Sequence, residues 1–213
     1  MMARVTEAHV EARRNQILDA AWSCFAKRGY HQTTMQDIAT DAGISAGAIY
    51  RYYASKEAVL AAITERNTER YAELLADIRS ESSGPMDVLE AIGQTMLATF
   101  EDPLFETNTR LDIEIRPETL RNDVLRERTR SQLEFWRKSL VTLLHEAREN
   151  GELRKDIDIE TFVVLAISAY EGLRGWGLID RAIFRPRDVF DLLLNLASSK
   201  SLPPTGENPY GLN

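Results

Sequence analysis

Tyr50, Arg51, Tyr52 and Lys56 place two phenols, a guanidinium and an ammonium within seven residues. Such groups donate hydrogen bonds to phosphate oxygens and to base edges in a DNA groove. Immediately upstream, Ala46, Gly47 and Ala48 are small enough to let another surface approach closely, and Ser45 before them is a good helix N-cap. Arg51 and Gln36 carry the planar donor sets that read bases by paired hydrogen bonds, while Ala46 and Ala48 offer only apolar contact, for instance with a thymine methyl. Catalytic chemistry finds no comparable cluster. His9, His31 and His145 are far apart and in no metal-ligand spacing. There is no Gly-rich phosphate loop, nucleophile elbow or Cys–His pairing, and the carboxylates are scattered along charged faces, where solvation is the default. The expectation is a binding protein, not an enzyme, with no cofactor.

These residues need elements to hold them. Thr33 or Thr34 can cap a helix whose apolar face is Met35, Ile38, Ala39 and Ala42, at i, i+3, i+4 and i+7. Gly43 follows, where a helix end favours positive φ, and Ile44 can plug the gap to the next helix. That second helix, over 46–53, has only Ile49 and Tyr53 placed to face inward. Ser55 caps a third, with Lys56 in its first turn; a cation there opposes the helix dipole, which a phosphate partner would explain. Two short helices about a glycine turn make a helix-turn-helix, which sets one helix in the major groove. Tyr52 and Tyr53 have a competing reading as core, stronger for Tyr53.

Residues about 10–60 resemble the DNA-binding domain of TetR-type bacterial transcriptional regulators. The match runs through ILDAAWSCFAKRGYHQTTMQDIATDAGISAGAIYRYYASKEAVL, residues 17–60, with the Thr-Thr pair, Ala-Gly-Ile-Ser, Gly-x-Ile-Tyr and Ser-Lys-Glu in order. The resemblance implies that Thr34, Gln36, Tyr50, Tyr52 and Lys56 hold phosphates or the groove edge. It implies that Gln36, Ala46, Gly47, Ala48 and Arg51 lie nearest the bases; Thr33 and Ser45 complete the expected DNA-binding set. The remaining three quarters of the chain match only in general layout.

Bulk properties agree. Residues 1–56 hold seven Lys or Arg against five Asp or Glu, so of a net charge of −7 the remainder carries −9. A mildly basic head on an acidic body steers DNA to one end. One cysteine, Cys24, excludes internal disulfides and fits a reducing cytosol, and it reads as a core residue beside Ile17, Ala21 and Phe25. No secretory signal is visible, and no apolar stretch reaches the roughly 20 residues that span a membrane. The expected location is cytoplasmic.

Past the head the pattern is helical, giving an all-α fold: a three-helix DNA-binding domain at 10–56, a ligand-binding and dimerisation domain at 57–200, and a loose tail at 201–213. Helices are expected over 13–28, 55–78, 86–100, 118–150, 159–178 and 187–198. Asp102 and Pro103 read as a restart, as does Pro117. Between them RLDIEIR alternates like a strand, but with no partner strand evident it is read as helix. Residues 162–167 give the helix over 159–178 no polar face, so burial on all sides, against a second subunit or at the centre, is expected. The helices over 159–178 and 187–198 suit a four-helix homodimer interface, which the resemblance also implies. Gly172, Gly175 and Gly177 suggest close packing there, with room for a ligand as the alternative.

Ligand-pocket candidates are Phe100, Phe105, Trp136, Tyr170, Glu171, Arg174 and Trp176, where bulky or polar groups interrupt apolar faces. Core packing competes for the aromatics, and a surface ion pair for Glu171 with Arg174. The expected function is a ligand-responsive repressor: a dimer on a palindromic operator, released by a small molecule, cationic or neutral, with the helix over 55–78 transmitting the change. Activator and corepressor behaviour stay open, and a helical protein-interaction module is the alternative.

Overall fold

The computed structural model describes residues 7–199; the tail expected at 201–213 lies outside the described residues. Among these, nine helices follow in order: α1 (Glu7–Arg28), α2 (Met35–Asp41), α3 (Ala46–Ile49), α4 (Lys56–Glu81), α5 (Pro85–Glu101), α6 (Phe105–Arg121), α7 (Asp123–Glu149), α8 (Ile159–Gly177) and α9 (Pro186–Ala197). The fold is all-α, as expected. The one pairing of extended backbone among the described residues is an antiparallel bridge between Leu153 and Ser198. No described helix is long and apolar enough to cross a membrane.

The head is α1 to α3 with the start of α4. Its apolar positions converge as their spacing dictates: Ile17, Ala21 and Phe25 of α1, Ile38 and Ala39 of α2, Ile49 of α3 and Val59 of α4 are all essentially sealed from solvent. Each such large side chain stabilises the fold by about 1.5–3 kcal/mol. This core does not stop at residue 56. Leu111 of α6 and Leu125 of α7 are buried within it, and Ile115 packs on it. Below the head, α7 is the central post of the body, in contact with α4, α5, α6 and α8, with Leu143, Leu144 and Ala147 fully buried. At the crossing of α5 and α9 the Phe190 ring lies so close to Gly93 that a Cβ there would come within 1.7 Å of it.

Several elements differ from expectation. α1 begins earlier, at Glu7. The helix expected over 46–53 closes at Ile49, and Arg51, Tyr52 and Tyr53 continue as turns whose amides reach the Ala48 and Ile49 carbonyls at 2.9–3.2 Å. RLDIEIR is helical, but neither proline restarts the chain as expected. The Asp102 carboxylate accepts the Leu104 amide at 2.7 Å and α6 starts at Phe105. Pro117 lies inside α6 and, like Ile113 a turn before it, is exposed; it has no N–H to donate to the Ile113 carbonyl. The break falls instead at Asn122, whose side chain accepts from the Val124 and Leu125 amides at 3.0 and 3.1 Å. α8 is not buried on all sides: Ile159 and Val163 point in, while Val164 and Leu165 are 55% and 51% exposed.

Candidate DNA-reading face and effector cleft

Three helices of the head, α2, α3 and α4, are each fixed by a side-chain cap. The Thr34 hydroxyl accepts the Asp37 amide at 3.1 Å, and the Asp37 carboxylate accepts the Thr34 amide at 2.9 Å, a reciprocal capping box. Ser45 accepts the Ala48 amide at 3.2 Å and Ser55 the Ala58 amide at 3.2 Å. Gly43, at φ +64°, makes the turn between α2 and α3, a conformation that strains other residues. Gln16 of α1 donates to the Ala42 carbonyl at 2.8 Å, tying the turn to the helix behind it.

What remains outside is the α3 face. Thr34, Gln36, Ser45, Gly47, Tyr50 and Arg51 are exposed, and Ala46, Ala48 and Tyr52 half-exposed. Tyr50 is 56% exposed although it is a large ring. Gln36 Nε2 lies 3.4 Å from the Thr40 hydroxyl. A Cβ on Gly47 would meet nothing within 4 Å, and its φ is not positive. Neither internal packing nor backbone geometry requires glycine there, and glycine costs about 1 kcal/mol relative to alanine in a helix. Tyr53, by contrast, is buried in the core.

Two expected contacts are spent inside the protein. Thr33 is buried, and its hydroxyl donates to the Gly29 carbonyl at 2.8 Å with the Cys24 carbonyl at 3.2 Å. It braces the loop between α1 and α2 and presents no side chain to a ligand. Lys56 Nζ donates to the Tyr30 and Thr33 carbonyls at 2.6 and 3.0 Å and sits 4.2 Å from the Tyr30 ring centre. The motive for a cation in the first turn of α4 is therefore local: it gathers carbonyls that the loop would leave unpaired. Burial lowers the Lys56 pKa, opposed by the nearby Glu57 and by Glu114 and Glu118 of α6.

In the body, α5, α6 and α8 bring together five of the seven expected pocket residues. Phe100 lies 5.1 Å from Phe105 and 6.0 Å, edge to face, from Tyr170. Arg174 pairs with Asp112 of α6 and lies 3.7 Å from Glu171, which also binds Arg116 at 2.7 Å. Trp136 stands beside this group, 5.2 Å from Tyr71, and packs on the core under α5 and α7. Trp176 does not join it: the indole is 57% exposed and stacks on Phe184. Phe105 is itself buried, under the Arg181 guanidinium. The sequence reading missed Tyr71, Asp112, Thr109 and Thr99, whose hydroxyl meets that of Tyr170 at 3.3 Å. Asp112, a carboxylate between two apolar helix positions, carried the available signal.

α6 links the two sites. Phe105, Thr109, Asp112 and Arg116 fall on one face, toward α8. Glu114, on the opposite face, accepts the His31 amide at 3.2 Å and lies against Gly29, which is at φ +81°. α4 also spans both regions, through Arg66 to Asp19 of α1 at 2.8 Å and Arg79 to Glu146 of α7 at 2.7 Å.

Residues 17–63 match the family model for bacterial regulatory proteins of the tetR family, and residues 118–175 match the tetracyclin repressor-like C-terminal domain. The HTH-type transcriptional regulator TtgR of Pseudomonas putida is 29% identical over 193 residues, spanning 88% of this chain and 91% of that one. Among solved structures, GusR of Salmonella enterica superposes with a TM-score of 0.69 at 27% identity, covering 91% of this chain and 98% of the other. A TetR transcription regulator from Haloarcula marismortui superposes with a TM-score of 0.77 at 20% identity, covering 88% and 99%.

Proposed function

Because the chain belongs to the TetR family and is a ligand-responsive DNA-binding repressor, we propose that it binds a palindromic operator as a homodimer and leaves it when a small molecule enters the body. The observation that carries the DNA-reading part is the α3 face. Arg51 and Tyr50 stand exposed beside Gly47, and the Arg51 guanidinium has no hydrogen-bond or ion-pair partner among the described residues, while every cap behind it is made. A rigid platform with uncommitted donors fits the reading of base edges, with Gln36 and Arg51 as readers and Thr34, Ser45, Tyr50 and Tyr52 on the backbone.

The dimer is supported by the outward side of α8 and α9. Val164, Leu165 and Trp176 of α8 and Leu192 and Leu196 of α9 are each more than two-fifths exposed. Gly172 and Gly175 on the same helix have open space where a Cβ would stand, which suits close approach of a second α8. Apolar surface of this kind marks an interaction site in a protein that would otherwise cover it. Two heads held by one interface read two half-sites, so their separation governs affinity.

The effector reading places the ligand among Phe100, Tyr170, Glu171 and Arg174, with Tyr71 and Asp112 added. Transmission runs through α6 as well as α4, since α6 touches the cleft through Asp112 and the head through Glu114. For a sharp switch the ligand must prefer the released conformer by several kcal/mol, about 5.5 for a near-complete reversal.

The test is fluorescence anisotropy on DNA from upstream of the protein's own gene, over a salt series. Wild type binds tightly, and Arg51→Ala loses roughly 1–3 kcal/mol with reduced selectivity between operator variants. Weak binding that is equal in both proteins and persists through a random-sequence selection overturns DNA reading and leaves the head as a protein-interaction module.

A further inference from the structure

The first turn of α2 holds a carboxylate where a DNA phosphate is expected. Asp37 Oδ2 accepts the Thr34 amide at 2.9 Å and the Thr34 hydroxyl at 2.7 Å, and that hydroxyl in turn accepts the Asp37 amide at 3.1 Å. Both donors of Thr34 are therefore consumed by its own helix, and none is left for a phosphate oxygen. Lys56, the ammonium expected at the backbone, is spent on the Tyr30 and Thr33 carbonyls. Hydrogen bonds from Thr34, ahead of the Arg28 guanidinium, hold the Asp37 carboxyl below its ordinary range, so the turn carries a full negative charge at neutral pH. Left alone, that charge repels a DNA backbone laid against Thr34 and Gln36.

One group beside it can reverse the sign. Arg28, the last residue of α1, pairs with Asp37 Oδ1 through Nη1. No other hydrogen-bond or ion-pair partner meets Arg28 among the described residues, and its side chain is 56% exposed. Most of the planar fork of N–H donors is thus open to solvent. The helix dipole accounts for a cation at the end of α1, and an exposed ion pair adds little to stability. Neither requires a backbone held as firmly as this one. Gly29, at φ +81°, turns the chain directly after Arg28, and its amide reaches the Phe25 carbonyl at 2.8 Å. The Gly29 carbonyl accepts the buried Thr33 hydroxyl at 2.8 Å. A guanidinium on a fixed backbone, with a free edge, suits paired hydrogen bonds to a phosphate.

We infer that Arg28 is the phosphate clamp at the start of α2, bridging the Asp37 carboxylate and a phosphate of the DNA backbone. Thr34 stands at the backbone as the cap that fixes Asp37, and Asp37 aims the guanidinium. The clamp lies outside the helix-turn-helix, on α1, and it carries charge but no base readout. It deepens the DNA-reading assignment and rests on it.

Anisotropy on DNA from upstream of the protein's own gene, over a salt series, compares the full-length wild type with Arg28→Ala and with Arg28→Ala combined with Asp37→Asn, a thermal melt confirming that each is folded. Arg28→Ala lowers affinity about tenfold, lowers the slope of log affinity against log salt by about 0.9, and weakens all operator variants alike, whereas Arg51→Ala costs selectivity. The double variant does not regain the slope, because the lost contact is with DNA. Arg28→Gln, which keeps a donor for Asp37, gives the same loss of slope if Arg28→Ala folds poorly. An unchanged slope in folded Arg28 variants overturns the clamp. So does recovery of affinity and slope in the double variant, which would make Arg28 a screen for Asp37 alone. Selective wild-type binding that depends on Arg51 and not on Arg28 removes the clamp and keeps DNA reading. Weak, non-selective wild-type binding, indifferent to Arg51→Ala, removes both.

Discussion

The head and the body of this protein are built to different tolerances. In the head, Phe25, Ile38 and Ile49 are sealed, three helices carry side-chain caps, and buried Thr33 has its hydroxyl bonded. In the body, the rings of Phe100 and Tyr170 are only half-buried, the Asp112 carboxylate paired with Arg174 is partly exposed, and Thr109 is buried with its hydroxyl unmet. The difference matches two tasks. Reading DNA needs donors held still, whereas answering a ligand needs an interior with alternative packings and affinity left over.

That contrast is breakable. Phe25→Ala should cost about 3–5 kcal/mol in urea unfolding and abolish DNA binding, while Phe100→Ala should cost about 1–2 kcal/mol because part of its ring already meets solvent. Equal losses would mean that the body is packed as tightly as the head. Lys56→Met comes next. Losing the ammonium that gathers the Tyr30 and Thr33 carbonyls should cost roughly 1–3 kcal/mol of stability and leave the salt dependence of operator binding unchanged. A salt slope reduced by about 0.9 would instead restore Lys56 to the phosphate contacts.

Gly47→Ala sharpens the comparison from the other side. It should leave stability unchanged or raise it by up to about 1 kcal/mol, yet weaken operator binding, since only an approaching surface asks for glycine there. Undiminished affinity would remove Gly47 from the contact. The smallest effect is on acid stability. Hydrogen bonds from Thr34, then the Arg28 guanidinium, hold the Asp37 carboxyl below its ordinary value. Its contribution is complete above the unfolded pKa and fades as the pH falls through the lowered folded one. Asp37→Asn should therefore flatten the fall in melting temperature between about pH 5 and pH 2; an unchanged fall would mean that the box does not set the head's acid limit.

Much of the head was legible because its signals are local. The run Met35, Ile38, Ala39, Ala42 and then Gly43 specifies a short helix and its stop within nine residues, and Ser45 and Ser55 announce the helices they cap. The surface left over is then the expected contact face, apart from Thr33 and Lys56, whose partners are backbone carbonyls that no periodicity reveals. The body was less legible. Pro117 reads as a break, but the preceding Leu111 and Ile115 are anchored in the head's core and α6 continues to Arg121. Trp176 reads as a pocket residue and stands outside.

The sequence by itself determined the helical periodicity, the glycine turn, the caps and the small, donor-rich stretch at 45–52, because each depends on residues within a turn or two of one another. The tertiary structure alone decided that Asp112 meets Arg174, that the Tyr71 ring lies 5.2 Å from that of Trp136, and that α6 holds the head through Glu114. Those pairings join positions 62, 65 and 83 residues apart in sequence. Only the packing of the body's helices brings such residues within reach of one another, because no pattern within a turn or two links positions so far apart in sequence.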